Sequence, residues 1–289
     1  MLGAAEVREL LARHGLEARR SLGQNFVADP NTVRRIARIA GVGPGDAVVE
    51  VGPGLGSLTL ALLDAGAEVL AVEKDRTLLP VLREVLVASA GPDGADPVES
   101  GRVRLVEADA LLADWPALTA GRSWALVANL PYNVAVPVVM CVLERAPLVE
   151  RLVVMVQQEV AERLVADPGG RTIGIPSIKV AWYGDARIAA TVGPDVFVPR
   201  PRVTSSVVVV DRHAPPSSEV GPGDVFPLVE QAYRQRRKML RSTIGRDLAP
   251  DAFERAGIEP TARPEQLALA DWVRLAVAVR PVPPTGGRP

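Results

Sequence analysis

Along the first two-thirds of the chain, short apolar runs alternate with stretches whose apolar positions recur every three to four residues. Ala47–Gly52 (AVVEVG), Glu68–Glu73 (EVLAVE), Val103–Ala108, Trp124–Asn129 and Leu152–Gln157 (LVVMVQ) have the length and β-branched content of buried strands. Between them, Leu58–Leu63, Thr77–Ala88 and Val134–Arg145 read as helices, the second with Leu78, Leu82, Val85 and Leu86 along one stripe. Strands fed by helices predict parallel βαβ units with right-handed crossovers, hence an α/β, Rossmann-like sheet. Two later β-rich runs, Ala186–Val192 and Val203–Val210, have no long helix between them and predict an antiparallel hairpin at the sheet edge. Past the Pro-, Gly- and Ser-rich run Ala214–Gly223 the pattern turns helical, at Val225–Leu240, Leu248–Ala256 and Pro264–Ala278. The expected organisation is an α/β domain with an N-terminal arm over 1–212, a linker over 213–223, a small all-helical domain over 224–280 and a disordered tail over 281–289. Gly91–Glu99 reads as a surface turn cluster.

Composition narrows the chemistry. Of 289 residues, 48% are hydrophobic but only 4% aromatic, so Ala, Val and Leu supply the core. The single cysteine, Cys141, excludes an internal disulfide framework, and with His14 and His213 far apart a Cys- or His-based metal site is not expected. Residues 1–22 carry Arg8, Arg13, Arg19 and Arg20 and no apolar core of a signal peptide. Ser123–Leu143 is uncharged and near membrane-spanning length, but Asn129, Pro131, Asn133 and Pro137 argue for a strand, a turn and a helix instead. A soluble, cytoplasmic chain is the expectation, without membrane contact; a monomer is expected.

The net charge of −1 looks unsuited to nucleic acid until it is divided. Residues 1–44 hold 7 bases and 4 acids, residues 45–150 hold 7 and 15, and residues 212–289 hold 12 and 9. The acid is concentrated in the first βαβ units and the base in the flanks.

Those units carry a glycine loop, Gly52-Pro-Gly54-Leu-Gly56, after the first long strand and before a helix. The spacing departs from the G-x-G-x-x-G that seats a pyrophosphate. Glu50 adds a charge that repels phosphate and suits a cation, as the sulfonium and ammonium of S-adenosylmethionine are. Glu73 ends the second strand, where a carboxylate can grip both ribose hydroxyls. Asp109 follows the third, where it can accept from the adenine amine. Each carboxylate alone could be a solvated loop end. Three on the carboxyl edge of one sheet point to a ligand site.

Asn129-Leu130-Pro131-Tyr132 ends the fourth strand. Proline stiffens the turn, so that the Asn129 side-chain carbonyl and the Leu130 backbone carbonyl can both accept from one exocyclic amine. Two acceptors in tetrahedral positions free the amine lone pair and stabilise the charge that develops as a methyl arrives. Tyr132 offers a face on which an extruded base can stack. Outside such a site the tetrad is a proline turn with a satisfied Asn.

With these motifs in place, the chain resembles the small-subunit (16S) ribosomal RNA adenine dimethyltransferases (KsgA/RsmA type). The resemblance runs from about Arg19 to Val279. It is carried by Leu22–Phe26, Val48–Thr59, Ala71–Asp75, Glu107–Leu111, Asn129–Asn133, Met155–Leu164, Phe197–Val208 and Gln235–Arg241. It implies a class I methyltransferase sheet and transfer of methyl groups from S-adenosylmethionine, leaving S-adenosylhomocysteine, to N6 of two adjacent adenines in the 3′-terminal hairpin loop of 16S rRNA in the immature small subunit. It also implies that Asn25 and Val27 close over the cofactor and that Gly52 lines its methionine portion. Asn129 would touch both cofactor and target. Phe197 would stack on the adenine face opposite Tyr132. Val27, where Leu is usual, and Arg200 and Arg202 are departures outside the chemistry.

Arg234, Arg236, Arg237, Lys238, Arg241 and Arg246 form the densest basic cluster. On a continuous helix, Arg234, Arg237, Lys238 and Arg241 share one face, which predicts phosphate contacts or, failing that, a solvated surface. The rival readings are a large-subunit rRNA adenine methyltransferase, an assembly factor for which methylation is secondary, and a protein glutamine methyltransferase. The basic helical segment counts against the last.

Overall fold

The computed structural model describes residues 1–19, 22–89 and 94–280. The expected tail at 281–289 and part of the turn cluster at 91–99 lie outside them. The chain divides into two compact units: Met1–Glu162 with Ala186–Arg212, and Arg163–Asp185 with His213–Pro289. The sequence pattern drew one boundary near 212. The structure adds the segment Arg163–Asp185 to the second unit.

The first unit begins with helix α1 (Ala4–Arg13), the two-residue strand β1 (Phe26–Val27) and helix α2 (Pro30–Ala40). Asp29 caps α2 by accepting from the Thr32 N–H, Pro30 sits in the first turn, and Gly41 ends the helix in the left-handed region. The sheet strands then alternate with helices: β2 (Ala47–Val51), α3 (Ser57–Asp64), β3 (Glu68–Glu73), α4 (Leu79–Ala88), β4 (Val103–Glu107), α5 (Trp115–Leu118), β5 (Trp124–Asn129), α6 (Ala135–Arg145) and β6 (Val149–Gln157). Next come α7 (Gln158–Leu164), α8 (Ile175–Tyr183), β7 (Gly184–Val192), β8 (Phe197–Val198) and β9 (Ser205–Arg212). Seven strands form one sheet in the order β4-β3-β2-β5-β6-β9-β7. The pairs β2–β3, β2–β5, β3–β4 and β5–β6 are parallel, and β6–β9 is antiparallel. The two late β-rich runs are indeed neighbours, with β7 at the edge. Their connection is not a tight turn but carries β8, which pairs antiparallel with β1.

Central strands buried on both faces explain the unbroken apolar runs: all five residues of β2 are buried, as are Leu152–Val156 of β6. The uncharged run at 123–143 resolves as β5, a turn and α6, as its prolines and amides imply. Among the described residues, no helix is long and apolar enough to cross a membrane.

The second unit contains α8, α9 (Pro222–Tyr233), α10 (Ala252–Ala256) and α11 (Leu269–Val279). Its core holds Ile178, Trp182, Val225, Val229, Leu240, Ile244, Trp272 and Leu275. The helix expected over Val225–Leu240 stops at Tyr233. The next residues fold as turns, with the Lys238 N–H donating to the Gln235 carbonyl at 2.8 Å. Leu240 and Arg241 then donate to the carbonyls of Ala262 and Pro260 at 2.8 and 3.0 Å, which seats Leu240 and Ile244 in the core. Repulsion along a helical face of four cations disfavours the continuous helix in the same direction. Arg234, Arg237, Lys238 and Arg241 therefore do not share a helix face.

Candidate active site

Strand order reverses direction between β2 and β5, since β3 and β4 lie on one side and β6 on the other. That switch point at the carboxyl edge is where open α/β sheets bind ligands. A cavity of about 240 Å³ lies there, lined by Gly52 and the glycine loop, Glu73, Asp109, Asn129-Leu130-Pro131-Tyr132, and the arm residues Asn25 and Val27. The structure thus brings together every site residue the sequence suggested in this unit except Phe197. Gly52 has φ +69°, the left-handed region, which turns the chain out of β2 and keeps the loop backbone against the cavity.

The carboxylates are held from behind. Glu73 is 6% exposed and accepts from the Asp75 N–H at 2.8 Å and the Gly54 N–H at 3.1 Å. Burial pushes its carboxyl up, opposed by those two N–H groups. Asp109 accepts from Lys74 Nζ at 2.7 Å and from the Leu111 N–H at 2.9 Å, and the Lys74 bond holds its carboxyl below the usual range. Each oxygen keeps a second lone pair for a ligand. Glu50 is 1% exposed and accepts from Thr59 Oγ1 at 2.6 Å, and burial pushes its carboxyl up to about 8.

The N-terminal arm closes one side. Asn129 Nδ2 donates to the Asn25 carbonyl at 2.9 Å, which leaves Asn129 Oδ1 to accept from elsewhere. Gln24 Nε2 donates to Asp75 at 3.0 Å, and Arg19 pairs with the same carboxylate at 3.4 Å. A Cβ on Gly23, whose φ is +65°, would stand 2.7 Å from Asn133 Oδ1 and 3.1 Å from the Tyr132 nitrogen. Only glycine lets the arm run this close over the tetrad.

Tyr132 is half-buried, and its hydroxyl lies 2.7 Å from Ser205 Oγ. Ser205 is fully buried at the start of β9. Phe197 pairs with Val27 across β1 and β8, is 3% exposed, belongs to the hydrophobic core and does not line the cavity. In this structure its ring is packed in the core and offers no open face to a base. Sequence reasoning missed Gln24, Lys74, Asp75, Thr59 and Ser205. Their partners lie up to 73 residues away, and only the fold brings them together.

In the second unit the basic cluster divides. Arg236 is held by Glu265 at 2.7 Å and by the Arg171 carbonyl at 2.7 Å. Arg234, Arg237, Lys238 and Arg241 are exposed, and among the described residues none of them forms an ion pair.

The chain is similar to the protein named ribosomal RNA small subunit methyltransferase A of Kineococcus radiotolerans, 49% identical over 281 residues, covering 96% of this chain and 91% of that one. The protein of the same name from Nocardia farcinica is 50% identical over 287 residues, covering 96% and 94%. Among solved structures, the 23S rRNA methyltransferase ErmE superposes with a TM-score of 0.68 at 26% identity, over 88% of this chain and 99% of that one. A dimethyladenosine transferase from Plasmodium falciparum superposes at 0.69 with 20% identity, over 86% and 94%. Both share the class I methyltransferase fold seen here. The family model described as ribosomal RNA adenine dimethylase matches residues 15–279. A match over residues 15–279, on a fold whose switch-point cavity gathers the glycine loop, Glu73, Asp109 and the Asn129–Tyr132 tetrad, places the chain in the ribosomal RNA adenine dimethylase family.

Proposed function

We propose that the cavity takes S-adenosylmethionine and an rRNA adenine, and that the chain dimethylates N6 of two adjacent adenines in the 3′-terminal hairpin loop of 16S rRNA. The carrying observation is that Asn129, with its Nδ2 bound to the arm and its Oδ1 left to accept, lines the same cavity as Glu73 and Asp109. When bound, S-adenosylmethionine supplies an electrophilic methyl group and leaves as S-adenosylhomocysteine. The residues fit this cofactor: Glu73 and Asp109 line the cavity and have lone pairs directed to no other group. Glu73 would take the ribose hydroxyls, Asp109 the adenine amine and Gly52 the methionine portion, with Asn25 and Val27 covering them.

The chain's own contribution to the transfer is positional and electrostatic. Asn129 Oδ1 and the Leu130 carbonyl accept the two hydrogens of the target amine, and Pro131 holds them in place. Their dipoles stabilise the positive charge on nitrogen. The methylated ammonium is acidic and loses its proton to water without a strong base. Tyr132 supports one face of the base. Phe197 can support the other only if its ring leaves the core. Arg234, Arg237, Lys238 and Arg241 contact rRNA phosphates. The enzyme acts as a monomer in the cytoplasm on the immature small subunit.

The reading is tested by incubating the protein with labelled S-adenosylmethionine and under-methylated small subunits, followed by nucleoside analysis. Labelled N6,N6-dimethyladenosine in 16S rRNA is expected. Its absence rejects the proposal, and its appearance in 23S rRNA alone supports the large-subunit alternative.

A further inference from the structure

Tyr132 follows the end of β5, yet its hydroxyl reaches Ser205 at the start of β9. Since β6 stands between β5 and β9 in the sheet, the path from Leu130 to the Tyr132 hydroxyl crosses the end of β6. That strand ends at Gln157, which pairs directly with Ser205. Directly opposed residues of an antiparallel pair project from one face, with Cβ atoms about 4.5–5.5 Å apart. Gln157 therefore shares with Ser205 the face that Tyr132 crosses. Met155 and Val207 form the next pair on that face, and both belong to the core cluster that holds Phe197. The Leu130 N–H donates to the Met155 carbonyl at 3.1 Å, so the tetrad is tied to β6 two strand residues, about 7 Å, before Gln157.

The other side chains in these two rows are accounted for. Val153, Met155, Val207 and Val209 are buried and apolar, and Ser205 is bonded to Tyr132. Gln157 is partly exposed, and among the described residues its side-chain amide has no hydrogen-bond partner. A Gln amide offers two N–H donors and a carbonyl acceptor. With both hydrogens of the target amine accepted by Asn129 and Leu130, the groups of an adenine left to be read beside that amine are ring nitrogens, which are acceptors. We infer that Gln157 is a specificity residue for the target base: its Nε2 donates to the ring nitrogen flanking the target amine, N1 or N7, and fixes the rotation of the base in its plane while Tyr132 supports its face. The inference rests on the reading that an rRNA adenine enters beside the tetrad.

The test is the initial rate of methylation of under-methylated small subunits whose 16S rRNA carries adenosine, 1-deazaadenosine or 7-deazaadenosine at the target positions. Gln157→Glu keeps the size but replaces the donor by a carboxylate, and Gln157→Leu removes it. Both should methylate the adenosine substrate roughly tenfold more slowly, the size of one lost hydrogen bond. On one deaza substrate, the one without the nitrogen that Gln157 meets, parent and variants should react alike. The Tm and the affinity for S-adenosylhomocysteine should not change, as a partly exposed, unbonded amide implies. Should Gln157→Leu disturb the strand end, Gln157→Glu carries the comparison. Variants that methylate like the parent, or that lose equally on all three substrates, overturn the assignment. So does a loss in both variants that comes with weaker S-adenosylhomocysteine binding. Failure of the parent protein to form dimethyladenosine on the adenosine substrate instead overturns the functional reading beneath it.

Discussion

The Tyr132–Ser205 hydrogen bond ties the tetrad to β9, and removing either end should have unequal consequences. The two oxygens are 2.7 Å apart, Ser205 is fully buried and Tyr132 half-buried. Tyr132→Phe leaves the Ser205 hydroxyl buried without a partner, which costs about 1–3 kcal/mol. Ser205→Ala leaves the Tyr132 hydroxyl, which is closer to solvent and can find water. The expected cost is the net value of one hydrogen bond, ~1 kcal/mol. The double variant removes both polar ends and should be less destabilised than the two single costs combined, by ~1 kcal/mol. Urea denaturation of the four proteins gives the cycle, read as midpoint times slope. Methylation of small subunits by folded protein should fall in both single variants, because the Tyr132 ring loses its anchor. Additive stability losses, or single variants with full activity, would refute the anchoring role.

Three further outcomes follow from the same geometry. Burial pushes the Glu50 carboxyl from its ordinary 4.5 up to about 8, so between those values the native state should hold a proton that the unfolded chain lacks. Its contribution to stability falls as pH rises through that window and levels off above 8. Glu50→Gln should gain on the parent protein as pH rises from 5 to 8 in denaturation midpoints, and parallel profiles would show that Glu50 ionises freely. Phe197→Ala should cost about 3–5 kcal/mol as a core truncation. Phe197→Leu should keep the fold and the affinity for S-adenosylhomocysteine but lower methylation at least about tenfold, the loss of a stacking face worth ~1–3 kcal/mol. Full methylation by that variant would confine Phe197 to packing. Replacing Arg237 and Lys238 by Gln should flatten the dependence of log affinity for 16S rRNA on log salt by about 0.7–0.9 per lost phosphate contact. An unchanged slope moves the RNA surface elsewhere.

What the sequence revealed and what it hid divide along physical lines. The strands β2, β3, β5 and β6 were legible because strands buried on both faces must be apolar throughout, and the cavity was legible because successive strands of a parallel sheet end on one edge. Gly52, Glu73, Asp109 and Asn129 could be placed there by counting. The ionisation of Glu50 could not: its charge depends on a burial and a Thr59 bond that no local pattern encodes. The end of α9 at Tyr233 was hidden for a related reason, since Leu240 and Arg241 bond to Ala262 and Pro260, partners about twenty residues further along. Phe197 shows a third kind of limit. Its motif marks its place in the chain, but only the tertiary packing shows that its ring lies in the core. A ring buried beside Val27, which itself lines the cavity, must leave the core to meet a base. The bonds Asn25–Asn129 and Gln24–Asp75 tie the arm beside that ribbon to the site. If Phe197 stacks on the substrate and the arm covers the cofactor, as proposed, the two-residue ribbon would couple these events, and loosening the arm should alter both.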